Sequence, residues 1–168
     1  MTLIVETGTG NPLANSYTTE EFADGYLLLD PKKADWEFVD GEGKENLLIL
    51  ASESLDLQFN WYGTKTFIDS GLRFPRTGLV TRDGVAYPDN SVPIAIQKAT
   101  AQLAYFINQN DPMPALTGAG ISRLRVDVID IRFDHNATSH PFPPIVLALA
   151  SEFGSLSKTR RVNQVYAV

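Results

Sequence analysis

The sequence predicts a mainly α-helical fold: a small helical bundle with one β-hairpin and extended N- and C-terminal arms. Four segments have apolar residues at helical spacing, one short segment alternates between apolar and polar residues, and neither end follows a periodic pattern. The chain has 168 residues, which is the size of one domain. We therefore predict a single domain with an N-terminal arm at 1–17, a helical core at 18–156 and a C-terminal tail at 157–168.

Two helices are predicted in the first part of the chain. The first begins at Thr18, whose hydroxyl can cap it, and ends at the Asp30-Pro31 pair. The second runs from near Gly43 to near Tyr62. Its apolar stripe, which we expect to face the core, consists of Leu47, Leu50, Ala51, Leu55 and Phe59.

A long irregular segment and two further helices follow. Residues 63–92 are rich in Gly and Pro, and a loop of this length needs apolar anchors in a compact domain. We expect this loop to pack against the second helix. The residues expected to anchor it there are Trp61, Tyr62, Phe67, Leu72 and Phe74. A third helix is predicted from Pro93 to near Asn110, with an inward stripe that includes Ile96, Ala99, Leu103, Phe106 and Ile107. A fourth is predicted from about Ile145 to Leu156, with Ile145, Leu149 and Phe153 on one side.

Residues 121–134 are predicted to form the hairpin. Apolar residues change from even to odd positions around Asp127-Val128, so a two-residue turn there would place the apolar residues of both strands on one face. The predicted pairs are Val126 with Ile129, Leu124 with Ile131, Arg125 with Asp130, and Arg123 with Arg132. A bulged single strand is the alternative, because Asp-Val is a poor turn sequence.

Composition excludes several classes of function. With 14 basic and 20 acidic residues the net charge is −6, which does not favour avid nucleic-acid binding. The absence of cysteine excludes a disulfide framework, a thiolate zinc site and a cysteine nucleophile. No signal peptide or membrane-length apolar run is found, so we expect a soluble protein that folds in the cytoplasm.

No motif predicts catalysis, and we expect neither an enzyme nor a cofactor. The nearest candidate for a metal site is the pair His135 and His140 with Asp134, which would suit a metal-dependent hydrolase. Their spacing in a polar connector fits no standard ligand pattern, so we favour a solvated loop and predict no metal.

Aromatic residues beside an arginine offer a second candidate site. Trp61-Tyr62 and Phe74-Pro75-Arg76 could stack on nucleobases next to a guanidinium group. We favour the alternative in which the aromatic side chains belong to the core and Arg76 pairs with a carboxylate, because a single-strand site also needs a basic groove.

Several ordered motifs resemble a known family. These are residues 3–10 (LIVETGTG), Ala14-Asn15-Ser16-Tyr17, Trp61-Tyr62-Gly63, 72–78 (LRFPRTG) and 92–100 (VPIAIQKAT). The set resembles a family of phage and prophage proteins described as DnaT-like single-stranded DNA-binding proteins, which is similar to the head–tail connector proteins of tailed phages. This chain departs from the family at Asp127-Val128, where Gly or Pro is usual, and at Phe74, where Trp is frequent.

The resemblance implies two different functions. A connector, or head–tail adaptor, is a structural protein of the virion neck, assembled in the host cytoplasm as a ring, expected to be a dodecamer, under the portal. Its partners would be the portal protein and tail or stopper proteins, with double-stranded DNA passing through the channel without specific binding. The alternative is a single-stranded DNA-binding accessory protein of replication. We favour the adaptor, because twelve copies would carry roughly −72 charges and let DNA slide rather than bind.

The tail and the N-terminal arm are the predicted contacts of this adaptor. Basic residues near the start of the tail could meet carboxylates of a portal protein, and the apolar residues after them could fill a groove. The predicted partner-binding residues are Lys158, Arg160, Arg161, Val162, Val165 and Tyr166. A frayed terminus is the alternative.

Overall fold

The computed structural model describes residues 2–109, 123–126, 129–132 and 142–157, with side chains in the first and last of these ranges. The helices, in chain order, are α1 (Glu20–Leu27), a 3₁₀ segment (Pro31–Phe38), α2 (Gly41–Gln58), α3 (Ile94–Gln109) and α4 (Pro144–Ala150). The strands are β1 (Phe59–Trp61), β2 (Thr64–Lys65), β3 (Arg76–Thr77), β4 (Arg123–Val126), β5 (Ile129–Arg132) and β6 (Gly154–Leu156). The predicted mainly helical class is confirmed.

Helix α3 is the centre of the helical packing, since it contacts α1, α2 and α4. Ile96, Ala99 and Leu103 of the predicted stripe are buried. Ala101 and Ala104 are also buried, on other faces of the helix. Alanine has a small side chain, which lets neighbouring helices approach α3 from more than one direction.

Helix α1 begins one residue later than predicted. The hydroxyl oxygen of Thr19, rather than that of Thr18, accepts the backbone N–H of Phe22 at 3.1 Å and caps the helix. Thr18 is buried, and its hydroxyl has no hydrogen-bond partner among the described residues. The buried positions of α1 are Ala23 and Leu27.

Helix α2 ends at Gln58, so the prediction that it continues to Tyr62 is wrong. The chain becomes extended at Phe59 and forms β1, which pairs antiparallel with β6. In a strand, Phe59 and Trp61 point to the same side, and their rings stack at 5.0 Å. Helical spacing would separate the two rings, so their burial together favours the strand.

Helix α4 is shorter than predicted, because β6 begins where the helix was expected to continue. Gly154 of β6 packs directly on β1: a Cβ atom there would lie 2.7 Å from the ring of Trp61. Phe153 is buried as expected, whereas Ile145 is 45% exposed and the inward residue of the first turn is Val146.

Residues 2–17 are not an extended arm, because the segment folds back onto the core. The buried Glu6 carboxylate accepts the backbone N–H groups of Gly8, Gly10 and Asn11 at 2.7, 3.0 and 2.9 Å. A positive φ of 98° at Gly8 helps to direct these groups inward. The segment ends at Tyr17, which is fully buried.

The hairpin is confirmed in its register. Strands β4 and β5 pair antiparallel, with the four residue pairs that the sequence predicts. Its turn at 127–128 and the C-terminal residues 158–168 lie outside the described residues.

Candidate nucleic-acid interface

Two of the aromatic residues considered for base stacking belong to the core, as the favoured interpretation predicts. Phe74 is fully buried and Trp61 is 9% exposed. Phe74 meets Trp61 edge-on at 5.1 Å and Tyr17 at 5.7 Å. Their ring faces are therefore unavailable to a nucleobase.

Arg76 binds backbone carbonyl groups, so the prediction that it pairs with a carboxylate is wrong. Its Nε donates to the carbonyl oxygen of Tyr62 at 2.5 Å and its Nη1 to that of Arg73 at 3.1 Å. Its Nη2 donates to the carbonyl oxygens of Gly63 at 2.8 Å and Trp61 at 3.3 Å. Burial lowers the pKa of Arg76, although an arginine remains a cation at neutral pH. The guanidinium group thus fixes the loop between β1 and β3 while keeping its charge.

Asp56 joins three segments beneath this loop. Its Oδ1 accepts the Tyr17 hydroxyl at 2.5 Å and the Trp61 indole N–H at 2.9 Å, and its Oδ2 accepts the backbone N–H of Arg73 at 2.9 Å. Burial raises the pKa of Asp56, although these hydrogen bonds and the Arg73 charge act in the opposite direction. Burial and the neighbouring carboxylate likewise raise the pKa of Tyr17 well above its ordinary value.

The side chain of Arg73 is the exposed cation of this region. Its backbone N–H is held by Asp56 and by the Tyr17 hydroxyl oxygen at 3.1 Å, so its position is fixed. The ion pairs within residues 2–109 and 142–157 all involve Lys33 or Lys44. The guanidinium group of Arg73 therefore lacks a salt-bridged carboxylate in these ranges.

Arg73 lies between two surface pockets that form one groove, here called the Arg73 groove. The polar half, of about 240 Å³, is lined by Asn60, Trp61 and Arg76. The apolar half, of about 340 Å³, is lined mainly by Ala14, Ile49 and Leu72, with Glu53 as an added carboxylate. Asp56, Leu57 and Arg73 line both halves, so the two pockets adjoin each other.

Two further residues suited to nucleic acid, Tyr62 and Lys65, are neighbours of Arg76. The side chain of Tyr62 is 51% exposed, so the prediction that it anchors the loop in the core is wrong. Its carbonyl oxygen accepts from Arg76. Lys65 of β2 lies opposite Arg76 of β3 in their antiparallel pair, and its ammonium group donates to the carbonyl oxygens of Ser70 at 2.6 Å and Ile68 at 3.4 Å. Guanidinium and ammonium groups bind phosphate, and an exposed tyrosine ring can stack on a base.

Charge is distributed unevenly along the chain. The first 56 residues contain twelve acidic and three basic residues, whereas the remainder contains eight acidic and eleven basic residues. The net charge of −6 thus conceals a basic excess in the part of the chain that supplies Arg73 and Arg76.

Sequence reasoning did not single out Arg73 or Glu53. The available signal for Arg73 is the alternation Leu72-Arg73-Phe74, in which buried neighbours on both sides direct the arginine outward. Glu53 carried no local signal, because its significance depends on Leu72, which only the fold brings next to α2.

The other candidate residues lie outside the described part of the chain. They are the tail residues Lys158, Arg160, Arg161, Val162, Val165 and Tyr166, and the residues Asp134, His135 and His140. Within the described ranges, no cluster of three or more acidic or histidine side chains could hold a metal ion. No helix in those ranges is long and apolar enough to cross a bilayer.

The fold and the groove define a small, mainly helical protein in which a surface groove lined by two arginines and two carboxylates lies near an exposed aromatic ring. The chain belongs to the family described as "Putative DnaT-like ssDNA binding protein", whose family model matches residues 1–165. No curated protein and no solved structure matches the chain. The family description supports the DnaT-like part of the sequence resemblance, and none of the comparisons supports the connector part.

Proposed function

We propose that the protein binds single-stranded DNA through the Arg73 groove. The family match over nearly the whole chain supports this activity. The assignment to this surface rests on Arg73. Its guanidinium group is exposed, and its backbone is held by hydrogen bonds to Asp56 and Tyr17. It forms no ion pair within residues 2–109 and 142–157. Such a group can bind a phosphate without first breaking a salt bridge.

The groups around the groove have distinct roles in this proposal. Arg73 binds a phosphate, and the exposed ring of Tyr62 stacks on a neighbouring base. Arg76 adds positive charge and holds the backbone on which both residues stand. Because the protein as a whole is acidic, we expect modest affinity, with a dissociation constant on the order of 10⁻⁴ to 10⁻⁶ M at physiological salt.

Fluorescence anisotropy with a labelled oligonucleotide of about 15 nucleotides tests the proposal, since this length covers the larger single-strand sites. Arg73→Ala keeps the backbone N–H that Asp56 and Tyr17 accept, so the fold should be retained. We expect the variant to bind about tenfold more weakly and to lower the slope of log K against log salt by about 0.7, the loss of one phosphate contact.

Arg82→Ala is the matched control. Arg82 is also exposed, and its backbone N–H also donates to a carboxylate, that of Glu152 at 3.0 Å. The Arg82→Ala substitution removes the same charge at a position outside the groove. The affinity of this variant for the oligonucleotide should therefore stay close to that of the wild type. Equal losses in the two variants would show that net charge, and not the Arg73 groove, determines binding.

A head–tail adaptor is the second candidate function, and the acidic part of the chain favours it. Twelve of the first 56 residues are acidic, and a ring that presents them to a channel would repel the DNA backbone. The proposed partners are then the portal and tail proteins, and the proposed location is the virion neck. Presence in purified virions at a fixed copy number, with no measurable single-strand binding, would favour this function over the first.

A further inference from the structure

We infer that the apolar half of the Arg73 groove accepts one nucleobase and that Glu53 favours cytosine and adenine over thymine. This inference rests on the proposed binding of single-stranded DNA and adds the base preference of the site. The phosphate and the base of one nucleotide would lie on the two sides of Leu57 and Arg73, which line both halves of the groove.

The apolar half is an open surface pocket large enough for one base. Its volume of about 340 Å³ falls in the range of ligand sites, which begin near 300 Å³. Ile49 and Leu57 line one wall, and Leu72 and Ala14 approach from the loop and the N-terminal segment. An unstacked base gains from such a surface, because its faces are apolar and its polar atoms lie at its edge.

Glu53 is positioned to read that edge. Ile49, Glu53, Asp56 and Leu57 lie on one face of α2, at spacings of three and four residues. The side chain of Glu53 is exposed and forms no ion pair within the described ranges. Asn15, the other polar residue that lines only this half, already binds the backbone of Ile4 and Thr2.

An ionised carboxylate only accepts hydrogen bonds. Cytosine and adenine offer the N4 and N6 amino groups as donors, and carboxylate recognition of the cytosine amino group is an established pairing. Thymine presents a carbonyl oxygen at the corresponding position, which a carboxylate repels. The site should therefore prefer cytosine and adenine over thymine.

Anisotropy titrations of the full chain with labelled oligo(dC) and oligo(dT) of equal length test this preference. We expect the wild type to bind oligo(dC) about fivefold more tightly than oligo(dT). In Glu53→Gln the amide both donates and accepts, so the two affinities should become nearly equal and both should increase with the loss of a negative charge. The substitution removes no hydrogen bond that holds the described fold.

Glu42→Gln is the control, because it removes an exposed carboxylate from the first turn of the same helix. It should keep the preference for oligo(dC). Loss of the preference in this variant as well, or equal binding of both oligonucleotides by the wild type, would overturn the role of Glu53 and leave the proposed function standing. Absence of binding to either oligonucleotide would instead refute the proposed function itself.

Discussion

The N-terminal segment and the loop between β1 and β3 are both irregular, and one charged side chain organises each of them. In the first, the Glu6 carboxylate collects backbone N–H groups. In the second, the Arg76 guanidinium group donates to four backbone carbonyl oxygens. The two residues solve the same problem with opposite charges, since buried backbone groups outside helices and sheets still need partners.

The two regions differ in how far the charge is withdrawn from water. Glu6 is 2% exposed, so its charge is used entirely inside the fold. Arg76 is half-buried, and Arg73 beside it is exposed. The comparison indicates that a buried charge closes a loop, whereas a half-buried one both shapes a loop and leaves a surface that an anion can approach.

Removing the aromatic residue between the two regions should have the largest effect. Phe74 contacts Tyr17 at the end of the N-terminal segment and Trp61 in β1, so it supports both. We expect Phe74→Ala to lower the free energy of unfolding by about 3–5 kcal/mol, measured by urea denaturation, because the fully buried ring would leave a cavity.

Phe67→Ala is the matched control for this substitution. Phe67 is 38% exposed and lies in the same loop. Its removal should cost clearly less than that of Phe74. A larger loss at Phe67 would mean that the loop is anchored at its tip and not at the ring shared by the two regions.

Glu6→Ala should have the next largest effect, about 3 kcal/mol in the free energy of unfolding. The substitution leaves buried N–H groups of the N-terminal segment without an acceptor. Glu6→Gln retains one carbonyl oxygen and should lose less, which makes it the control for side-chain volume. Equal losses for Ala and Gln would show that the negative charge, and not the number of acceptors, stabilises the segment.

The sequence predicts the regular elements of this fold better than its irregular ones. The apolar stripe of α3 and the register of the hairpin depend on local periodicity, which can be read directly from the sequence. The 3₁₀ segment was missed because it has no stripe, although Trp36 within it is fully buried. Its indole N–H donates to Asp24 at 2.7 Å, a partner that no local pattern reveals.

The ends of α2 and α4 were predicted too late for one shared reason. Phe59 and Leu156 continue the apolar spacing of their helices, yet they pair with each other across β1 and β6. Strand pairing between distant segments outweighed local helical periodicity here. The prediction of an extended N-terminal arm is wrong for a related reason. No residue next to Glu6 in the sequence shows that the segment closes around the Glu6 carboxylate.

Arg76→Ala should cost less than Glu6→Ala, about 1–2 kcal/mol in the free energy of unfolding. The carbonyl groups it releases lie near the surface, so water can replace part of the lost hydrogen bonding. Affinity for single-stranded DNA should fall as well, because the loop that carries Tyr62 loses its support. Arg73→Ala is the comparison variant: it should weaken binding without changing the urea midpoint. If both variants leave stability unchanged, the carbonyl contacts of Arg76 contribute nothing to the loop.

The smallest effect should appear in the pH dependence of stability, through Asp56 beneath the same loop. Burial raises its pKa in the folded protein above the ordinary value of 3.8, so the folded state holds the proton more tightly than the unfolded chain. The resulting stabilisation is fully present below pH 3.8 and is lost as the pH rises through the raised pKa. The free energy of unfolding of the wild type minus that of Asp56→Asn should therefore fall as the pH rises from below 3.8 to neutrality.

Urea titrations of both proteins at each pH measure this difference, and Glu42→Gln controls for the loss of one carboxylate. A difference that rises with pH would mean that the hydrogen bonds from Tyr17, Trp61 and Arg73 outweigh burial and hold the pKa of Asp56 below its ordinary value.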